Sequence, residues 1–468
     1  MKNNNLLFGS FLFLSFSVLP PFEPVQYPQI HHLKCIGGTG DEYILSTIKL
    51  ADGNYLSCGF TNSRDGDFRG FNNYGGYDAF LIKTGGDGNI IWKNIYGGSH
   101  QEVFYNIIET ATGDILAIGT SGSNDRQVTR HHGRPGTDDI WLVEINSSGK
   151  LLKERCYGGS GSESTFELGM SEGLMIDKTG NILFAGETNS SDGDLSLSTI
   201  DNHGDYDGWV VKVDPATLNI IKSTTVGDAA YDALYNIHEI NGCIFVTGTK
   251  STIAYTSPGV DVESSYKAFT AKLNASTFDI IWYKKYGGSG SDDCNASVIS
   301  QEGKLVLTGH AASTDGDCIG NLGFTTWTWK INPDNGEIIW QNFTGSPKDT
   351  SAAFNLIATR DGSFVAIGAT GHPHDFFDAY AVKIDPNGNT LWTKRFGGSG
   401  NDQVLGGVEG NDGNILLGGL TNSADGDVIG YHSEPVVSQK NVPSPKDNGI
   451  SHKKSLTKDA WLVELSPQ

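Results

Sequence analysis

"NIIWKNIYGG" at 89–98 returns as "DIIWYKKYGG" at 279–288 and as "NTLWTKRFGG" at 389–398. A segment stamped repeatedly across a 468-residue chain marks a structural unit rather than a single active site. Length alone predicts about three domains, a prior that does not hold for repeat folds.

Working outward, four landmarks recur in order. An aromatic or apolar residue precedes Gly-Gly, or a decayed form of it, at Gly37, Gly97, Gly158, Gly227, Gly287, Gly345 and Gly397. A turn glycine follows at Gly53, Gly113, Gly180, Gly242, Gly303, Gly362 and Gly413, spaced by 60, 67, 62, 61, 59 and 51 residues. A third glycine closes an apolar run at Gly59, Gly119, Gly186, Gly248, Gly309, Gly368 and Gly419. The fourth landmark is an apolar strand such as "DAFLIK", "DIWLVE" or "AWLVEL". Short β-branched and aromatic runs between Gly/Asp/Asn turns are strand signals. In the first unit they predict strands a (43–51), b (55–60), c (79–83) and d (90–96). The Asp-Gly and Asn-Gly turns join a to b, because glycine accepts the positive φ of tight hairpins.

Seven units of four antiparallel strands predict an all-β, seven-bladed β-propeller over 30–467. The ends predict its closure. The last unit stops after strand c, and the missing strand d lies at the other terminus, where "IHHLKCIGG" (30–38) aligns with "IIWKNIYGG" (90–98). Residues 30–36 are therefore expected beside 460–465, removing two open edges. Trp92, Trp282, Trp340 and Trp392 are expected to pack between blades.

Composition narrows the class. Glycine is abundant (61) and methionine rare (3), with 37% hydrophobic and 10% aromatic residues, the profile of a turn-rich packed β protein. A net charge of −21 excludes nucleic acid and anionic lipid as partners, which require clustered Lys and Arg. Cations, glycans and basic partners remain compatible with it. Leu6–Leu19 is an apolar run too short to span a bilayer and suited to a signal-peptide core, so residues 1–26 read as an export signal with cleavage within 20–27. No other apolar run predicts a membrane span. Cys35, Cys58, Cys156, Cys243, Cys294 and Cys318 contain no CxxC; three disulfides are possible, without an assignable pairing.

The units "DAFLIK…GNIIW…YGGSHQE…TGDILAIGTS" resemble the β-propeller repeats of exported bacterial proteins, notably of the Bacteroidetes group. The resemblance covers about residues 30–467 and implies the propeller fold and an exported, periplasmic, cell-surface or secreted protein. "DNGEIIW" (334–340) is more distantly similar to tryptophan-docking quinoprotein propellers.

Strand alternation puts the d-to-a and b-to-c loops on one face and tight turns on the other, so function is expected on the loop face. Two acidic systems lie there. The first follows the Gly-Gly turn: Glu42, Glu102, Glu163, Asp232, Asp292, Asp349 and Asp402, a candidate ligand-binding ring. These side chains either accept N–H groups of the adjacent turn or hold a cation; a catalytic glycosidase pair would be two unique carboxylates. The second is the S-x-D-G-D motif: Asp65/Asp67, Asp192/Asp194, Asp315/Asp317 and Asp425/Asp427. Oxygen ligands two apart open calcium loops, which makes calcium the candidate cofactor, yet no Glu follows at the EF-hand offset. The competing reading is an Asp-Gly turn.

Other motifs carry less. "GMSEG" around Ser171 matches G-x-S-x-G but falls in an inner strand rather than at a strand-to-helix elbow. "HPHD" (372–375) and His131-His132 read as loop histidines. The loops 125–136 and 430–458 are basic in an acidic chain, and the second reads as a mobile insertion in the last blade. Together these features predict an exported non-catalytic binding or scaffold module whose partner is an envelope or extracellular protein or a glycan. The alternative is a secreted glycan-cleaving enzyme, on fold analogy; a quinone dehydrogenase lacks an evident vicinal cysteine pair.

Overall fold

The computed structural model describes residues 27–71, 73–134, 136–165, 173–198, 203, 205–252, 265–346, 348–371, 376–432 and 457–466. The export signal, Ser171, the 372–375 histidines and most of the 430–458 insertion lie outside the described residues.

Seven antiparallel sheets form the predicted ring. Each takes its strands in the order a-b-c-d from the channel outward. In the first blade these are Glu42–Lys49, Tyr55–Thr61, Asp78–Thr84 and Ile90–Tyr96. The next five blades span 102–157, 163–226, 232–286, 292–344 and 350–396. Strand a of the third blade is described as two short pieces, Glu163–Ser164 and Leu174–Ile176. The last blade joins Asp402–Glu409, Ile415–Thr421 and Asp459–Leu465 to the N-terminal strand Ile30–Ile36.

That N-terminal strand pairs as the repeat alignment predicts, with Ile36 opposite Ala460, Cys35 opposite Trp461 and Ile30 opposite Leu465. Ser466 N–H donates to Gln29 O at 2.9 Å and Gln29 N–H to Ser466 Oγ at 3.2 Å, tying the junction beyond the ladder. Every inner strand whose pairing is continuous carries a bulge at one register, between Ile44 and Ser46 in the first blade and between Val404 and Gly406 in the last. Such a bulge sharpens strand twist where seven sheets converge on one axis.

Successive blades are locked through their outer strands. The ring of Trp92 lies where a Gly149 Cβ would stand, at 3.1 Å; Trp282 and Gly336 (3.2 Å) and Trp340 and Gly388 (2.7 Å) repeat the arrangement. All three glycines sit in c-to-d turns of the following blade at φ between +70° and +91°, so the turn needs glycine for its backbone and for the indole against it. Trp340 Nε1–H also donates to Pro386 O at 3.0 Å. Trp392 meets the seam of the ring instead, where it lines a cavity of about 460 Å³ with Leu465 and Ser466. All six cysteines are free, and five are buried in blade contacts where burial pushes the thiols up. The three disulfides open to the sequence are therefore not formed. No helix among the described residues is long and apolar enough to cross a membrane.

Deleting residues 1–36 leaves the edge of Asp459–Leu465 unpaired and uncovers Trp461. The expected outcome is loss of the cooperative urea transition or aggregation in size-exclusion chromatography; a monomeric variant with an unchanged midpoint would contradict closure by this strand.

Candidate functional site

Glu42, Glu102, Glu163, Asp232, Asp292 and Asp402 open the inner strands, as the spacing predicts, and all are fully buried. Each accepts a backbone N–H from the turn before it: Gly38, Gly98, Gly159, Asp228, Gly288 and Gly398 donate at 2.7–3.0 Å. A hydroxyl at the end of strand b donates to the other oxygen in four blades, Thr61 at 2.6 Å, Ser121 at 2.7 Å, Thr188 at 2.7 Å and Thr421 to Asp402. The charge is thus satisfied locally by the glycine turn it shapes. Asp349 stands outside this ring. The segment "GSPKDTS" is one residue longer than its counterparts, so Ser351 takes the register and Asp349 N–H closes a turn onto Ser346 O at 3.1 Å.

The structure brings a second carboxylate to five of these six sites, from the first residue of strand c in the preceding blade. Asp459 faces Glu42, Asp78 faces Glu102, Asp139 faces Glu163, Asp207 faces Asp232 and Asp378 faces Asp402. At Gly37 a methyl group would stand 2.7 Å from both Asp459 Oδ1 and Glu42 Oε2. The Oδ1 atoms of Asp78, Asp139, Asp207 and Asp459 are buried without a hydrogen-bond partner. Two buried carboxylates at one point cannot both ionise cheaply, and protonating one of them relieves the conflict. Burial accordingly pushes Asp78 up to about 7 and Asp232 up to about 6, and raises Glu42, Glu163, Asp207, Asp402 and Asp459.

Most pairs also have a basic side chain beside them. The imidazole Nδ1 atoms of His132, His203 and His432 lie 2.8, 3.1 and 2.8 Å from Asp139, Asp207 and Asp459. Lys250 donates to both Asp232 oxygens at 2.9 Å, and Arg395 pairs with Asp378. In the fifth blade Asp292 faces Lys267, 3.5 Å away. In the sixth both acids are gone, and Thr325 and Ser351 occupy the two positions. Asp78 and Glu102 have no Lys, Arg or His within ion-pair distance among the described residues.

The S-x-D-G-D motifs clamp the same turns from outside. Asp65, Asp192, Asp315 and Asp425 accept the N–H of Thr39, Ser160, Ser289 and Ser399 at 2.6–2.8 Å. Asp67, Asp317 and Asp427 accept from Gly37, Gly287 and Gly397 at 3.1–3.2 Å. Asp194 instead pairs with Arg155 at 3.0 Å. No group of three or more His, Cys, Asp or Glu side chains suited to a metal occurs among the described residues.

The loop face also carries aromatic residues that the repeat pattern did not single out. The position before the strand-c acid is aromatic in five blades: Tyr77, Tyr206, Tyr266, Phe324 and Phe377. Tyr43 stacks on Phe60 at 4.6 Å between centroids, and Phe60 meets Tyr77 edge-on at 4.9 Å. Tyr231 lies 5.8 Å from Tyr206 and 6.4 Å from Tyr266. Phe324, 38% exposed, stacks on His310, and Phe376 is 49% exposed.

No protein-family model and no curated protein matches the chain. Solved structures do show likeness. A protein of unknown function from Dyadobacter fermentans DSM 18053 aligns with a TM-score of 0.45 at 9% identity, over 94% of this chain and 99% of that one. A fungal alcohol oxidase of the AA5 family, in complex with copper, aligns at 0.43 and 13%, over 93% and 76%. These are loose likenesses of shape, and the seven-bladed architecture rests on the strand pairing of this chain itself.

The unpaired couple gives a pH test. The Asp78 carboxyl is raised by folding, so its stabilising contribution is full below about 4 and is lost as pH rises through about 7. Asp78→Asn removes that loss and offers Glu102 an amide donor. The variant is expected to be more stable than the parent by on the order of 1–2 kcal/mol at pH 8 and to converge with it at pH 4, by urea denaturation. Parallel pH profiles would contradict a raised Asp78 carboxyl.

Proposed function

We propose that this chain is an exported, non-catalytic β-propeller that binds an envelope or extracellular protein or a glycan through its loop face. The observation that carries this reading is the run of aromatic side chains there, with Tyr43, Phe60 and Tyr77 in mutual contact and Phe324 and Phe376 open to solvent. Aromatic rings supply large contact area at low entropic cost and are enriched in binding surfaces. The carboxylates that a glycan-cleaving enzyme would need are instead buried and repeated from blade to blade, each engaged with its own turn. Membership of the Bacteroidetes-type exported repeat family, export by residues 1–26 and use of calcium by the S-x-D-G-D loops belong to this proposal, supported by the sequence patterns that suggested them.

The test is a screen of the purified chain against glycans and envelope proteins, with and without calcium. Tyr77→Ala and Phe324→Ala are expected to weaken capture at least tenfold, about 1.4 kcal/mol, while the melting temperature stays within a few degrees. Release of shortened glycans by the purified protein would instead establish the enzyme.

A further inference from the structure

The loop face contains two clusters of three aromatic rings. In the first, Tyr43, Phe60 and Tyr77 gather beside the ring closure, and the chain supplies a cation to them. Lys458 Nζ stands 5.0 Å from the Tyr43 ring centroid and donates to Tyr43 Oη. Tyr77 Oη reaches Asp41 Oδ2 at 3.4 Å, so a carboxylate borders the rings as well. The molecule thus shows what this arrangement takes: an alkylammonium group over a tyrosine face, with an acid beside it.

The second cluster also combines three aromatic rings with an acid, drawn from other registers: Tyr231 stands where Asp41 does, and Ala233 where Tyr43 does. Tyr206, Tyr231 and Tyr266 come from the third and fourth blades, with Tyr231 and Tyr266 nearly perpendicular at 87° and Tyr206 inclined to Tyr231 at 59°. The three rings thus gather π faces and hydroxyls at one place on the loop face. Glu187, 8% exposed, accepts the Tyr231 hydroxyl at 2.6 Å and so brings a carboxylate to the rings. Among the described residues no lysine or arginine stands over these rings. Tyr206 occupies the register of Lys458, the residue before the strand-c acid, so an aromatic ring replaces the internal ammonium.

We propose that Tyr206, Tyr231, Tyr266 and Glu187 form a binding site for an alkylammonium group, specifically the lysine side chain of a protein partner. The attraction is the ring quadrupole acting on a desolvated cation, reinforced by a buried carboxylate. Lysine is favoured because its ammonium also donates hydrogen bonds, which Glu187 and the tyrosine hydroxyls accept, as Tyr43 Oη does for Lys458. The net charge of −21 adds long-range attraction for a basic partner. This inference rests on the loop face being the binding face, and it names the group recognised there.

The probe is Nα-acetyl-lysine N-methylamide, titrated into the full chain against its uncharged isostere, Nα-acetyl-norleucine N-methylamide, with binding followed by calorimetry and by tyrosine ring signals in NMR. Lysine is expected to bind at roughly millimolar concentration and about tenfold more tightly than norleucine. Tyr266→Ala and Glu187→Gln should each remove most of that preference, Tyr266→Phe should retain it, and Ile91→Ser on an outer strand should leave it unchanged. Circular dichroism and melting temperature establish that each variant is folded. Equal binding of the two probes, or a lysine preference that survives Tyr266→Ala, overturns the site. If lysine fails while Tyr77→Ala still weakens capture of a screened ligand, this site is lost and the binding-face reading stands.

Discussion

The ring depends on one antiparallel pairing between residues more than 420 positions apart, Ile30–Ile36 against Asp459–Leu465. Each blade other than the last is built from a continuous run of chain, so its strand pairing is local and inexpensive in loop entropy. The last blade is the exception. Its outer strand arrives from the opposite terminus, and until it docks, Trp461 and Val463 lack their cover and two sheet edges stay open. Closure converts seven sequential sheets into one cooperative body. It also fixes which loops share a face, and therefore which side chains can act together.

Within that ring the blade contacts are organised around a glycine turn held from two sides. Strand a of one blade supplies a buried acid, strand c of the blade before supplies another, and the S-x-D-G-D loop adds one or two carboxylates from outside. Two adjacent glycines accommodate so many oxygens because any Cβ there would collide with them. The turn and its acids form one repeated joint on the loop face, and the tryptophan-on-glycine contacts form a second at the tight turns of the opposite face. Part of the acidity that looks like solubilising charge in the composition is internal, for thirteen Asp and Glu residues are buried among those described.

How legible this was in the sequence follows from periodicity. The glycines and apolar runs recur at nearly constant spacing, so strands, blade number and closure could be read directly; the a strand of the first blade is displaced by only a residue or two. The acid of strand a was visible because it follows the turn at a fixed distance. Its partner was not, since Asp78 and Asp139 look like ordinary strand-opening residues until the ring sets one blade against the next. Asp349 misled because one additional residue in "GSPKDTS" shifts the register, so Ser351 stands where the pattern suggested an acid. His132, His203 and His432 lack a common spacing from their aspartates, at 7, 4 and 27 residues, and only the folded loops reveal their shared role. The tyrosine cluster draws on three loops of two blades and has no linear signature.

The exchange of both acids for Thr325 and Ser351 has an evolutionary corollary. A joint with two carboxylates, one proton and a basic side chain beside them comes close to neutral, and a joint with two hydroxyls carries no charge at all. A joint that has lost only one acid strands its neighbour unless a lysine arrives, as Lys267 has opposite Asp292. Intermediates between these states are disfavoured, so such positions should drift in pairs when repeats of this kind diverge, and a lone substitution at either should be rare.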